Sequence, residues 1–183
     1  MAIRNSAMLD YDNGIFSVLD FVILQLPPLT WQCEDLDFGT AKGAIFHGFH
    51  GDEIADEQPE AASVTVADVT LDSSEPDIST LKESDVQDLD ENMRQDVVAQ
   101  LEADGRSLSR WMHSQLNSNG DVLVLVTAYI VSDNGRELQH VALRTTVNGR
   151  KIVAISMFDI AMKEALASPL FNVLRTIRFN CGE

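Results

Sequence analysis

Two Asn-Gly pairs divide the last third of the chain into three apolar runs, and this pattern restricts the fold more than any other feature. The tight turn of a β-hairpin needs positive φ at both central residues, which Asn and Gly tolerate best. The sequence therefore predicts an antiparallel β-meander. Its runs and turns, in chain order, are residues 122–131, Asn134-Gly135, residues 138–147, Asn148-Gly149 and residues 152–157.

One further strand precedes the meander, and a helix and a short strand follow it. Residues 108–116 alternate between polar and apolar side chains and lead into a third Asn-Gly pair at Asn119. We expect Asp159 to cap a helix that Pro169 breaks or restarts, because proline lacks the amide donor that an interior helical position uses. Residues 176–179 then form the last strand.

Three apolar segments in the first half of the chain predict further strands. They are residues 15–26, residues 42–49 and residues 63–71. Residues 51–60 and 72–80 are rich in Asp, Glu, Ser and Pro, and such composition is typical of surface loops.

One amphipathic helix lies between these segments and the meander. Ser84 and Gln87 have the spacing in which a cap hydroxyl and a glutamine satisfy each other's free backbone donors, and Gly105 ends the helix. The apolar stripe that we expect to pack on a sheet comprises Val86, Leu89, Met93, Val97 and Leu101. The opposite, solvent-facing side carries Asp88, Asp90, Glu91 and Glu102.

Together these elements predict an α+β sandwich: an antiparallel sheet of about six or seven strands with helices packed on its faces. A chain of 183 residues is long enough for one domain with a two-layer core. We place a loose N-terminal leader at residues 1–14 and a single α+β domain at residues 15–180.

The sequence contains no segment that predicts membrane insertion. The longest apolar window, residues 21–29, is interrupted by a glutamine and two prolines, whereas a membrane-spanning helix needs about 20 apolar residues. The N-terminus also lacks the basic patch and apolar run of a signal peptide. We therefore expect a soluble protein that is kept in the cytoplasm, although a chain from which a signal peptide had been removed would look the same.

Negative charge is concentrated in the middle of the chain. Residues 52–104 contain 17 Asp or Glu against two bases, and the net charge of the chain is −16. Such a field repels nucleic acids and anionic membranes and speeds encounter with a basic partner. The segment is either a solubilising face or a docking surface for a cationic protein. For docking, the predicted partner-binding residues are Asp88, Asp90, Glu91 and Glu102.

Few side chains are spaced for metal binding or catalysis. His47 and His50 precede Asp52 and Glu53, and divalent metals do use such ligands. Two histidines three residues apart point to opposite faces of a strand, however, so the cluster is interpreted as an ordinary strand end. We predict no metal, no cofactor and no catalytic residue.

Cys33 and Cys181 are the two cysteines of the chain. In a cytoplasmic protein both are expected to be reduced, whereas an oxidising compartment would allow them to pair. The neighbouring carboxylates of Glu34 and Asp35 disfavour the thiolate of Cys33, which is the opposite of what an activated nucleophile needs.

The order of the elements and two short sequence words resemble a known superfamily. Leu26-Pro27 with Trp31 precedes the strands, and Leu-Arg-Thr-Ile-Arg-Phe occupies residues 174–179. Over residues 15–180 this arrangement is similar to the PsbP-like and DcrB-like α/β/α domains, which include the Eag chaperones of bacterial type VI secretion effectors. That superfamily has no common active site, so the resemblance implies a domain that binds proteins and does not catalyse.

The functional expectation is therefore a non-enzymatic protein-binding domain. Its most specific form is a bacterial adaptor, chaperone or immunity protein for a secreted, type VI-like effector, which contacts its partner through the sheet face or the acidic segment. Two alternatives stay open: a small-molecule or metal-dependent enzyme that uses residues 47–53, and a structural subunit that forms homodimers.

Overall fold

The computed structural model describes residues 8–10, 14–51, 59–72, 74–162 and 164–180 of the chain. The described strands are β1 (Met8–Asp10), β2 (Ile15–Val18), β3 (Val22–Gln25), β4 (Thr30–Asp37), β5 (Lys42–Phe49), β6 (Ala62–Asp68), β7 (Ser107–Asn119), β8 (Val122–Asp133), β9 (Arg136–Val147), β10 (Arg150–Asp159) and β11 (Arg178–Phe179). The helices are α1 (Val86–Ala103) and α2 (Glu164–Asn172), with 3₁₀ turns at Ile78–Thr80, Glu83–Asp85 and Val173–Thr176.

The strands form two antiparallel sheets. The larger sheet has seven strands in the order β4-β5-β6-β10-β9-β8-β7, and the smaller has four in the order β1-β2-β3-β11. Strands β7 to β10 are the meander that the Asn-Gly pairs predict, so the α+β fold with a seven-stranded antiparallel sheet is confirmed. Strand β1 lies within the expected N-terminal leader and pairs with β2.

The hairpin turns adopt the backbone conformation that their residues predict. The φ angles are 49° at Asn134 and 82° at Gly135, and 51° at Asn148 and 74° at Gly149. Positive φ at both central residues gives the turn a twist that matches that of the flanking strands. The pair at Asn119 differs, because Asn119 ends β7 and only Gly120, with φ 62°, takes the left-handed conformation.

The smaller sheet, α2 and the chain after α2 cover one face of the seven-stranded sheet. This cluster is fully buried: Phe46 and Leu24 are 0% exposed, and Ile152 and Ile177 are 1% exposed. The rings of Phe16 and Phe46 meet edge to face with centroids 5.0 Å apart. Burial of each large side chain contributes about 1.5–3 kcal/mol, so this face supplies most of the stability.

Helix α1 covers the other face at one end. It packs on β7, and the cluster beneath it contains Ile78, Val86, Met93 and Leu125. The predicted apolar stripe therefore faces the sheet, as expected. Val86, Met93 and Leu101 are buried, whereas Leu89 and Val97 are half-buried.

Residues 15–26 were expected to be one strand and form a hairpin instead. Leu19 and Asp20 turn the chain with φ angles of 58° and 64° between β2 and β3. Strand β4 was also missed. Its residues combine apolar side chains with four acids or amides, because β4 is an edge strand with one exposed side.

The predicted capping pair at the start of α1 is wrong. Ser84 lies in the 3₁₀ turn before the helix, and its hydroxyl donates to Asp85 at 3.1 Å. The carboxylate of Asp85 instead accepts the backbone amide of Lys82 at 3.3 Å. The end of the helix is as expected, because Gly105 has φ 72° and the amide of Arg106 donates to the carbonyl of Leu101 at 2.8 Å.

The second helix starts later than expected and is not broken by its proline. Asp159 ends β10, and its carboxylate accepts the amide of Ala161 at 2.8 Å, whereas α2 begins at Glu164. Pro169 lies inside α2. Tertiary contacts outweigh the missing amide donor, since the neighbouring Leu170 is 0% exposed and its carbonyl accepts the hydroxyl of Ser156 at 3.0 Å.

The close approach of β5 and β6 generates a test of the sheet. A Cβ atom at Gly43 would overlap the carbonyl oxygen of Val66 and lie 2.9 Å from Cα of Ala67. We expect Gly43→Ala to lower the free energy of unfolding by about 3 kcal/mol, as overpacking does. Urea denaturation measures this change.

The matched control is Gly39→Ala, where the added Cβ meets no atom within 4 Å but φ is +78°. Only the left-handed conformation is then disfavoured, at a cost of about 1 kcal/mol. Equal losses for the two variants would contradict the close strand approach.

Candidate protein-binding surface

Half of the seven-stranded sheet has one face that no described helix covers. Along β5 and β10, buried and half-buried residues alternate, so one face of these strands is more deeply buried than the other. The face toward the smaller sheet is closed: Phe46 and Ala154 are each 0% exposed. The opposite side chains of the same strands are half-buried, because α1 packs on β7 at the far edge of the sheet.

We define the open face as six half-buried side chains on β5, β6 and β10. Cross-strand pairing makes it continuous, since Thr65 lies opposite both Ile45 and Ile155. The apolar members belong to neither of the two buried clusters, so they contribute little to the core. The members are Ile45, Phe49, Thr65, Val153, Ile155 and Met157.

An aromatic row continues the open face toward α1. Met157 lies opposite His140, whose ring stacks on Tyr129 with centroids 4.9 Å apart, and Tyr129 stacks on Trp111 at 5.4 Å. Burial, and then the positive charge of Arg106, lower the pKa of His140 to about 4. His140 is therefore neutral at physiological pH, and the row presents an apolar surface beside the open face.

Carboxylates flank the other side of the open face. His47 on β5 has its Nε2 3.2 Å from Oε1 of Glu34 and its Nδ1 3.2 Å from Oε1 of Glu60. The side chain of Glu34 is 62% exposed and that of Glu60 is 34% exposed. This edge therefore offers negative charge to a partner that lies across the sheet.

The histidine cluster of the sequence does not form a metal site in the part of the chain that the structure describes. No group of three His, Cys, Asp or Glu side chains there is arranged to hold a metal ion. Both ring nitrogens of His47 face carboxylates, and His50 follows the end of β5 and is exposed. Asp52 and Glu53 lie outside the described residues.

Asp90 is not on the solvent-facing side of α1, as its helical position suggested; it is 6% exposed. Its carboxylate accepts hydrogen bonds from the indole N–H of Trp111 at 3.1 Å and from the backbone amide of Ser114 at 2.7 Å. Nδ1 of His113 lies 3.0 Å from the same carboxylate. A bulge in β7 between Met112 and Gln115 presents these donors to the helix. Asp90 therefore fixes α1 to β7 and is not available as a docking group.

Burial by itself raises the pKa of Asp90, but this effect is outweighed. Hydrogen bonds from Ser114, His113 and Trp111 stabilise the ionised form, so the pKa lies below its ordinary value. The carboxylate is thus charged and fully bonded at neutral pH. A buried carboxylate with several donors holds two elements together far better than an exposed ion pair does.

The other three predicted partner-binding residues, Asp88, Glu91 and Glu102, are exposed on α1. Glu91 lies 3.5 Å from the guanidinium of Arg94 and accepts a hydrogen bond from Gln95 at 3.1 Å. Asp88 and Glu102 therefore carry the least compensated charge of the three.

The remaining single candidates have structural roles or lie elsewhere. Burial, and then the charges of Asp35 and Glu34, raise the pKa of the Cys33 thiol to about 11, which is the direction that the neighbouring carboxylates predict. Cys181 lies outside the described residues. Trp31 is a core anchor, 8% exposed, and its indole donates to the carbonyl of Pro27 at 2.9 Å. The side chain of His113 is 91% exposed.

The sequence predicts a contact through the sheet face without identifying the residues of the open face, although a signal for them is present. Residues 152–155 are apolar at four consecutive positions, which indicates a strand with apolar side chains on both faces. The second apolar face of this strand indicates a surface that either another layer of the protein or a partner must cover.

Comparison with known proteins supports the fold. No protein-family model matches the chain, and a search of curated proteins finds no match. Among solved structures, the solution structure of cyanobacterial PsbP (CyanoP) from Synechocystis sp. PCC 6803 is similar, with a TM-score of 0.58 and 14% sequence identity over 95% of this chain and 91% of that chain. The chain therefore has a PsbP-like fold, as the order of its elements predicts. Neither described helix is long and apolar enough to cross a membrane.

The Asp90 network generates a test with a defined pH dependence. We expect Asp90→Asn to lower the free energy of unfolding by about 2 kcal/mol at pH 7, because it removes a charged acceptor from buried donors. The pKa of Asp90 is lower in the folded chain than in the unfolded one. Its contribution is therefore present above the unfolded pKa, about 3.9, and is lost as the pH falls through the folded pKa.

Urea denaturation at pH 7 and at pH 3 measures this effect, and the difference between parent and variant should narrow at the lower pH. Asp88→Asn on the exposed side of the same helix is the control, with an expected change within about 0.5 kcal/mol. A loss for Asp88→Asn as large as that for Asp90→Asn would refute the anchoring role.

Proposed function

We propose that this chain is a non-enzymatic protein-binding domain whose partner lies across the open face. The observation that carries the proposal is the set of half-buried apolar side chains on β5 and β10, which Thr65 of β6 joins by pairing with Ile45 and Ile155 and which belong to neither buried cluster. Contiguous exposed apolar surface on a folded domain is characteristic of an interaction site. The neutral aromatic row beside it extends the same surface.

Charge favours a basic partner. The apolar side chains would supply affinity through burial, while Glu34 and Glu60 at one margin, together with the outer carboxylates of α1, would steer the encounter. The net charge of −16 adds long-range attraction of a cationic partner.

In its most specific form, the proposed function is that of an adaptor, chaperone or immunity protein for a secreted, type VI-like effector. The PsbP-like fold and the order of elements support this form. A chaperone of this kind would cover an apolar segment of its client until the client is delivered, and a sheet face with apolar side chains and an acidic margin suits a basic, amphipathic segment.

The open face can be tested by one substitution and a chemically identical control. Ile155→Lys places a charge in the centre of the open face, and Ile160→Lys makes the same change at a side chain that is 41% exposed in the turn after β10. We expect the tagged parent and Ile160→Lys to retain one partner from native lysate, identified by mass spectrometry, and Ile155→Lys to lose it. Partner retention by both variants contradicts the proposal.

Size-exclusion chromatography with light scattering shows whether the open face binds another protein or a second copy of this chain. A parent that is dimeric, with Ile155→Lys monomeric, would assign the open face to self-association and favour the structural-subunit alternative. A melting temperature of Ile155→Lys within a few degrees of the parent confirms that the substitution acts on binding, since the side chain lies outside both buried clusters.

Steering by charge has its own kinetic test with the identified partner. The Debye length falls from about 10 Å at 0.1 M salt to about 3 Å at 1 M, so the association rate should fall over that range. Replacing Asp88, Glu91 and Glu102 with their amides should lower the rate at 0.1 M salt and leave dissociation nearly unchanged. Salt-independent association would leave these carboxylates a solubilising role only.

A further inference from the structure

The covered face of the sheet contains a pocket that the proposed protein partner does not use. It has a volume of about 430 Å³ and lies between the meander and the chain after α2. Val124, Val141 and Leu143 form its floor, and Phe171 and Leu174 form the opposing wall. Pockets of this size and lining hold small apolar ligands or the apolar part of an amphiphile.

A second, polar depression of about 320 Å³ adjoins the apolar pocket. The two share Asn119 and Arg175, and the second also contains Arg178 and Thr176. The side-chain amide of Asn119 donates to the carbonyl of Ile177 at 2.8 Å, which holds the end of β7 against the C-terminal segment between the two pockets. We refer to these two adjoining depressions together as the composite cavity, with an apolar part and a cationic part.

The cationic part is positively charged, whereas the molecule as a whole is negatively charged. No Asp or Glu lines either part of the cavity, although the chain as a whole has a net charge of −16. Within the described residues, neither Arg175 nor Arg178 forms an ion pair. Another pocket, of about 330 Å³, is different, because Asp20, Asp35 and Asp37 line it.

We propose that this composite cavity binds a medium-chain fatty carboxylate, with its alkyl chain in the apolar pocket and its carboxylate at Arg175 and Arg178. The planar guanidinium groups match a carboxylate in geometry as well as in charge. The polar lining residues Gln115, Asn117 and Ser118 all come from β7, and the rest of the pocket is apolar apart from the shared Asn119 and Arg175. The apolar part favours an alkyl chain over a polypeptide, whose amides need hydrogen-bond partners.

Isothermal titration of the full chain with octanoate, nonanoate and decanoate tests the proposal. Each added methylene that enters the pocket should tighten binding about fourfold, and the gain should stop once the pocket is filled. Decyltrimethylammonium has the same chain length and the opposite charge, and it should bind at least tenfold more weakly than decanoate. Equal binding of the two amphiphiles, or no binding of decanoate, overturns the proposal.

Two sets of variants locate the site. Arg175→Gln with Arg178→Gln should weaken decanoate binding about tenfold, whereas Arg94→Gln on α1, on the other side of the sheet, should leave it unchanged. Val126→Trp fills the pocket from its half-buried rim and should abolish binding of every chain length. Undiminished binding in the double arginine variant refutes the site whether or not Val126→Trp folds.

The alternative occupant of the cavity is the C-terminal end of a polypeptide. A peptide that ends in leucine tests this alternative by competing with decanoate. Failure of a ten-residue peptide of this kind to displace decanoate supports the alkyl ligand. If the peptide displaces decanoate at a lower concentration than competing decanoate does, the site is assigned to a polypeptide terminus and the proposal is overturned. Because the cavity and the open face lie on opposite faces of the sheet, Ile155→Lys should leave decanoate binding unchanged, so this proposal and the protein-binding proposal fail independently.

Discussion

The register of the meander is the constraint on which the rest of the structure depends. The Asn-Gly turns after β8 and β9 fix which residues of neighbouring strands lie opposite one another, and a slip of one residue would move every side chain to the other face. In the observed register, Ala154 and Phe158 meet the smaller sheet while Ile155 and Met157 face outward. Both the buried core and the open face follow from two short turns.

The two faces of the seven-stranded sheet carry different tasks. One is closed by the smaller sheet and α2, and it retains an apolar cavity near the C-terminal arginines. Within the described residues, the other is covered by α1 and the 3₁₀ turn at Ile78–Thr80 at one end, and it leaves apolar side chains near the carboxylates of Glu34 and Glu60. Glu34 and Glu60 thus lie beside the open face, and Arg175 and Arg178 lie beside the cavity, so the two sites attract molecules of different charge.

Sequence patterns predicted the features that depend on local chemistry. The meander, the bounds of β5 and the stop at Gly105 follow from turn residues and from alternation, and all are present. The hairpin at Leu19 and Asp20 was not predictable in this way, because Leu rarely adopts positive φ, although Asp tolerates it, and the flanking strands determine the turn. The burial of Asp90 depends on a bulge in β7 that brings Ser114, 24 residues further along the chain, against the helix, and helical periodicity contains no information about it.

The bulge in β7 also affects how copies of this chain behave at high concentration. Strand β7 is a 13-residue edge strand, and a long regular edge is a template on which other chains can add strands and aggregate. Near its middle, two residues of β7 oppose Thr127 alone, and the amide of Ser114 is already bonded to Asp90. A second chain would find the ladder interrupted and one of its donors occupied. The carboxylate that holds α1 in place thus also protects the exposed edge of the sheet from edge-to-edge association.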